Sequence, residues 1–147
     1  MDVFQTAQKA IRDIEESINP TIKETVDGNE LTLINYQTQE QLFKGKDSKG
    51  SVIRPGYTPF TIRLKKAKGQ PTDRVTWRDT GKLYQSVRIE SGTNDFKVVV
   101  NVSYANDLIE KYGQDAIGIQ REFLREFVLN FIVPNITRKT NDKLTRS

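Results

Sequence analysis

The sequence contains no cysteine and no histidine. That removes disulfide scaffolds, zinc centres of the Cys/His type, Cys–His dyads and Ser–His–Asp triads together. Acid–base chemistry is left to carboxylates. Long apolar runs are missing as well: none exceeds three residues, so no stretch reads as a membrane span. The opening MDVFQTAQK has an early aspartate and no apolar h-region, and no secretory signal is read from it. A soluble protein made in a cytoplasm is expected, with no membrane partner. Asn101-Val-Ser103 and Asn135-Ile-Thr137 match the glycosylation pattern, which has no meaning without a secretory signal.

The 147 residues are 35% apolar and 29% charged, enough for one modest core and a single domain, 1–147. The net charge of +4 is unevenly spread. The balance is −5 over residues 1–40, +8 over 41–90 and +1 over 91–147. A basic middle beside an acidic start suits contact with nucleic acid or subunits meeting head to tail, and equally a solvated lysine-rich loop.

Phe4, Ala7, Ile11, Ile14 and Ile18 recur on one face of an amphipathic helix whose other face is charged. Asn19-Pro20 is expected to break or restart that helix. Ile22 and Val26 extend a second short helix to a turn at Asp27-Gly28-Asn29. Between residues 31 and 43, Leu31, Ile34 and Leu42 fit a helix and Leu31-Thr-Leu33 fits a strand; helix is the better fit. Residues 1–43 are thus mainly helical. From 44 to 74, glycines and prolines alternate with cations, which predicts a long basic loop or hairpin-like excursion anchored by Tyr57, Phe60 and Ile62. Residues 75–102 read as the sheet. Val75 and Trp77 alternate with polar neighbours, Val87 and Ile89 lie in a strand ending at Ser91-Gly92-Thr93-Asn94-Asp95, and residues 96–102 return. Residues 103–134 form the C-terminal helical part: a short link from Tyr104 to Tyr112, then an apolar helix through Phe123, Phe127 and Phe131 that Pro134 ends or kinks. Residues 135–147 are a polar, basic tail, mobile or docked on a neighbour. The fold class is therefore α+β, a small antiparallel sheet flanked by an N-terminal and an apolar C-terminal helix.

Glu122 and Glu126, one helical turn apart beside Arg121 and Arg125, read as a solvated, ion-paired face. Asp107 and Glu110, with Asp79 or Asp115, are a weak magnesium candidate, because nothing fixes the waters and phosphate that complete such a shell. Thr80-Gly81-Lys82 fails as a P-loop end, since Leu83 stands where Ser or Thr must follow the lysine. KGKDSK, residues 44–49, is a basic glycine loop of low specificity. Tyr57, Phe60, Trp77 and Tyr84 interleave with the basic middle as base-stacking platforms would, yet no known nucleic-acid module appears; Trp77 and Phe60 fit core positions better.

Asp79-Thr80-Gly81-Lys82-Leu83-Tyr84-Gln85-Ser86-Val87-Arg88-Ile89 resembles the DTGxLxxSI turn-and-strand of the tail-completion and virion-morphogenesis proteins of tailed phages. Further features follow in the same order. Residues 96–101 look like their next strand, and Tyr104 to Gly113 is similar to their YAxxxExG segment. Ile117-Gly118-Ile119 before an apolar helix is similar to their FLGLS-type approach to a C-terminal helix, and the stretch 41–50 resembles one that precedes the same turn. The resemblance implies a structural subunit of a bacteriophage virion, without catalytic residues, metal or cofactor. Such a subunit forms or joins a ring at the head–tail connector, neck or tail-completion position. Its implied partners are further copies of itself, other neck, portal or tail proteins, and genomic DNA passing through. Within the motif, Asp79 or Thr80 closes the turn, Gly81 supplies the permissive backbone, Leu83 enters the core and Ser86 completes the pattern. The expected contacts to subunits or DNA are Lys44, Lys46, Lys49, Arg54, Arg63, Lys65, Lys66 and Lys68. A nucleic-acid-binding protein using this basic segment is the alternative.

Overall fold

A computed structural model describes residues 2–146. The fold is α+β: helix-rich, with one two-stranded antiparallel sheet, a long N-terminal helix and a C-terminal helix. In order, α1 is Val3–Gly28, α2 Glu30–Asn35, α3 Pro59–Ala67, α4 Lys82–Ser86, β1 Val87–Ser91, β2 Phe96–Val100, α5 Ala105–Tyr112, α6 Arg121–Phe127 and α7 Val133–Arg146. The hairpin turn lies where the sequence predicts it, closed by the Gly92 N–H on the Asp95 carbonyl at 2.8 Å. The chain divides into two compact units. One comprises Met1–Asn29, Ser91–Phe96 and Leu124–Ser147; the other comprises Glu30–Glu90 and Lys97–Phe123.

The first unit is built on α1 and α7. Asp2 caps α1 reciprocally: its carboxylate accepts the Gln5 N–H at 2.8 Å, and the Gln5 side chain accepts the Asp2 N–H at 3.2 Å. The predicted break at Asn19-Pro20 does not occur, and α1 runs through Pro20. Proline removes only the N–H that would serve the carbonyl of Glu16, a residue exposed to water. Hydroxyls along this stretch also donate to helix carbonyls: Ser17 to Ile14, Thr21 to Ser17 and Thr25 to Thr21, at 2.8, 2.6 and 2.7 Å. Pro134 does not end its helix either. A π-helical turn, Val128–Ile132, precedes it, with the Val133 N–H reaching back to the Val128 carbonyl. Widening the turn before proline makes room for its ring and hands on the hydrogen bonding. The tail is accordingly α7 up to Arg146, docked on α1 through Asn135 to Thr25 at 2.9 Å and Lys139 to Glu24.

The second unit carries the larger core, in which Leu42, Ile53, Val75, Trp77, Leu83, Tyr84 and Ala116 pack together. The helical reading of residues 31–43 holds, in a mixed form. After α2 comes a π-helical turn, Tyr36–Gln41, then a 3-10 turn, Leu42–Lys44, ended by Gly45 at φ +69°. A Cβ at Gly45 would meet that of Arg74 at 2.7 Å, so backbone angle and close approach both demand glycine. The excursion 44–74 is not irregular throughout but contains α3, started by Thr58 capping Thr61 N–H and by Pro59 at the first helical position. Val75 to Arg78 are not a strand. That segment crosses the core without a ladder, and tyrosines serve its backbone: Thr76 N–H donates to Tyr57 Oη at 2.9 Å, and the Tyr84 hydroxyl donates to the Thr76 carbonyl at 2.6 Å.

Gln37 and Gln41, both fully buried on the π-helical turn, clamp the irregular segment after α5. Gln37 donates to the Ala116 carbonyl (3.2 Å) and accepts the Gly118 N–H (2.7 Å). Gln41 donates to the Gly118 carbonyl (2.7 Å) and accepts the Gln120 N–H (2.8 Å). Replacing Gln41 by leucine strands two backbone groups, at roughly 1–3 kcal/mol each, and is expected to cost about 2–4 kcal/mol. Gln39→Leu, exposed on the same turn, should stay within about 0.5 kcal/mol. Urea denaturation of the two variants measures the difference.

Candidate functional site

Residues from α3, the 75–82 segment and α5 line a groove of about 420 Å³ in the second unit. Tyr57, Trp77, Tyr104 and Tyr112 supply aromatic surface; Lys65, Arg78 and Lys82 supply positive charge. The Trp77 indole is 7% exposed, its backbone sits at φ +56°, and its buried Nε1–H has no hydrogen-bond partner. A bulky residue at positive φ costs of order 1–3 kcal/mol and persists only where its surroundings hold it. Thr76 is what holds it, fastened by Tyr57 on one side and Tyr84 on the other. Burial pushes the Tyr84 phenol well above its usual pKa, so it stays a hydrogen-bond donor across the working pH range.

The DTG turn forms one rim of the groove, and each of its residues has a structural task. Thr80 Oγ1 accepts the Lys82 N–H at 3.3 Å, closing the turn. Gly81 starts α4 at φ +91°. Leu83 enters the core. Ser86 donates to the Leu83 carbonyl at 2.7 Å and accepts the Asn101 N–H at 3.2 Å, joining α4 to the end of β2. Asp79 does not close the turn; its carboxylate takes Lys68 at 2.8 Å and Gln70 at 3.2 Å. Those two hydrogen bonds, Lys68 first, hold its pKa below the ordinary carboxylate value. A carboxyl lowered on folding stabilises above its unfolded pKa, and that support disappears as pH falls through the folded value. The pair is exposed, so the effect is small.

The structure separates the other cations expected to make contacts. Lys44 pairs with Glu40 at 2.9 Å and Lys49 with Asp115 at 3.0 Å. Lys65 is buried, donating to the Arg78 carbonyl at 2.9 Å, with its ammonium 4.9 Å from the Tyr57 ring centroid. Lys46 belongs to a bridge with Val52. Arg54, Arg63 and Lys66 remain exposed. The glycine loop of residues 44–49 is no phosphate cradle: the N–H groups of Ser48, Lys49, Gly50 and Ser51 are used by Asp115, Asp47, Asp47 and Asp47 respectively. Among the described residues no three carboxylates gather as a metal site would need, so Asp107, Glu110, Asp79 and Asp115 are not brought together. Phe60, expected in the core, is exposed on α3, whereas Trp77 is buried as expected.

The sequence grouped Tyr57 and Trp77 with Phe60 and Tyr84 as one aromatic set; the groove keeps Tyr57 and Trp77 and adds Tyr104 and Tyr112, which no spacing in the chain connects to them. No helix among the described residues is long and apolar enough to cross a membrane. No family model matches this chain, and no curated protein or solved structure does.

If the turn is architecture, Gly81→Val should lose about 1–3 kcal/mol from backbone strain alone, since no atom lies within 4 Å of a Cβ built there. Gly81→Asn should lose less, because asparagine tolerates positive φ. Asp79→Asn should cost under about 1 kcal/mol. Melting curves of the three variants check the order.

Proposed function

We propose that this chain is a structural subunit of a tailed-phage virion, forming or joining a ring at the head–tail connector, neck or tail-completion position and assembled in the host cytoplasm. One observation carries the reading. Four residues of the motif behind the phage resemblance hold the fold: Thr80 and Gly81 shape the turn, Leu83 fills the core and Ser86 links α4 to β2. Asp79 makes an exposed ion pair with Lys68 at the end of α3. A motif whose turn, core and linking residues serve architecture suits a building block.

The charge distribution supports it further. The second unit holds fifteen Lys/Arg against ten Asp/Glu, a balance of +5, and the first holds eight against nine, a balance of −1. A basic unit beside a nearly neutral one on the same chain is compatible with association between unlike patches, the kind that builds rings. A second reading, single-stranded nucleic acid binding, draws on the aromatic and cationic groove.

The chain is expected in purified particles of the phage that encodes it, detected by mass spectrometry, and its absence there would overturn the virion reading. Oligonucleotide binding by the isolated chain is expected to be weak. Tight binding that collapses between about 50 and 200 mM salt would replace this reading with the second one.

A further inference from the structure

The hairpin leaves one edge of its sheet open. Its register follows from the Gly92–Asp95 bond, the Lys97–Glu90 ion pair at 3.4 Å and the Asn101 N–H on Ser86 at 3.2 Å. In that register Arg88 and Glu90 exchange hydrogen bonds with Val99 and Lys97. The N–H and C=O groups of Phe96, Val98 and Val100 then point away from β1. Among the described residues no helix, turn or side chain bonds to them. The opposite edge is closed. On β1 the outward N–H of Ile89 donates to Glu30 Oε1 at 3.2 Å, and that of Val87 to the Tyr84 carbonyl. By contrast β2 has no proline to blunt its edge, and its one charge, Lys97, is matched by Glu90.

We propose that β2 pairs with β2 of a second copy of the chain, antiparallel and centred on Val98, joining two hairpins into one four-stranded sheet. This goes beyond the ring reading and does not rest on it. A row of alternating N–H and C=O groups is matched by another extended strand, and β2 is the strand whose edge is open among the described residues. It is also its own complement. Centred on Val98, the pairing sets Val98 of one copy against Val98 of the other, Phe96 against Val100, and Lys97 against Val99. Every outward group then meets a mate, and aromatic stands beside β-branched. Moving the centre to Lys97 opposes two lysines, which is unfavourable. Moving it to Val99 leaves the Phe96 groups unmatched. Charge and hydrogen bonding thus select one register. Pairing also enlarges a marginal element: a sheet of two strands is weak, and four strands sharing the apolar face of Val87, Ile89, Val98 and Val100 are stronger. The contact is two-fold and closed, because each copy uses its one open edge.

The chain has no cysteine, so single cysteines placed in full-length protein report the register. Lys97→Cys and Val99→Cys proteins, mixed under air oxidation, should cross-link to each other, because directly opposite Cβ atoms lie about 4.5–5.5 Å apart. Each alone should stay uncross-linked, since 97 to 97 and 99 to 99 are diagonals beyond the roughly 7 Å Cα limit of a disulfide. Val98→Pro removes an outward N–H, which an edge strand tolerates. That variant should keep the wild-type circular dichroism while associating at least about tenfold more weakly in sedimentation. In the wild type, the Val98 and Val100 amides should exchange more slowly as concentration rises. If the mixture cross-links no better than the separate proteins, the pairing is overturned. Val98 and Val100 amides that exchange equally fast at every concentration overturn it too. Association that Val98→Pro leaves untouched uses another surface, so the pairing falls while the ring reading stands.

Discussion

The second unit depends on two buried glutamine side chains. Gln37 and Gln41 present amide groups from one face of a π-helical turn, and those groups substitute for a neighbouring strand. Between them they meet the carbonyls of Ala116 and Gly118 and the N–H groups of Gly118 and Gln120. With both residues fully buried, no water can repair a shifted pairing, and each unmet group costs about 1–3 kcal/mol. The segment 116–120 is therefore held in one register only. Ala116 is thereby set in the core, and Ser48 is fastened by its N–H to the neighbouring Asp115 carbonyl at 2.7 Å. A polar clamp fixes the place of the apolar core here.

The sequence showed the parts that depend on neighbours in the chain. The amphipathic pattern of Phe4 to Ile18, the Ser91-to-Asp95 turn between β-branched runs and the Gly81 turn are local signals, and all appear in the structure. It failed where periodicity and residue type do not record how the backbone hydrogen bonds are met. Pro20 and Pro134 look like helix ends because residue type alone does not show that the carbonyl Pro20 orphans belongs to the exposed Glu16, or that a π-helical turn at Val128–Ile132 precedes Pro134. Val75 and Trp77 look like a strand because alternation records burial, and the segment is buried; its hydrogen bonds come from Tyr57 and Tyr84, which no pattern in residues 75–78 reveals.

The same division runs through the candidate site. The motif residues were legible as architecture because turn chemistry is local. The lysines of the basic middle were counted as one group, yet their surroundings differ: Lys65 is buried under Tyr57, Lys44 and Lys68 sit in ion pairs, and Lys66 is in water. Charge counts cannot separate a cation that faces a partner from one already matched. The groove itself gathers residues from 57 to 112, held by packing around Trp77, and only the fold assembles them.

The tyrosine and glutamine contacts also decide where the backbone breathes. Amide exchange slows where an N–H is bonded in a buried, stable place, whatever the local geometry. The amides of Thr76, Gly118 and Gln120 belong to no helix or strand at the bond they make, yet Tyr57, Gln37 and Gln41 hold them. Those amides should keep their protons as long as regular core helices do, while the well-formed but exposed first turns of α1 lose theirs early. A deuterium uptake map of this protein would consequently trace its side-chain clamps as well as its core helices.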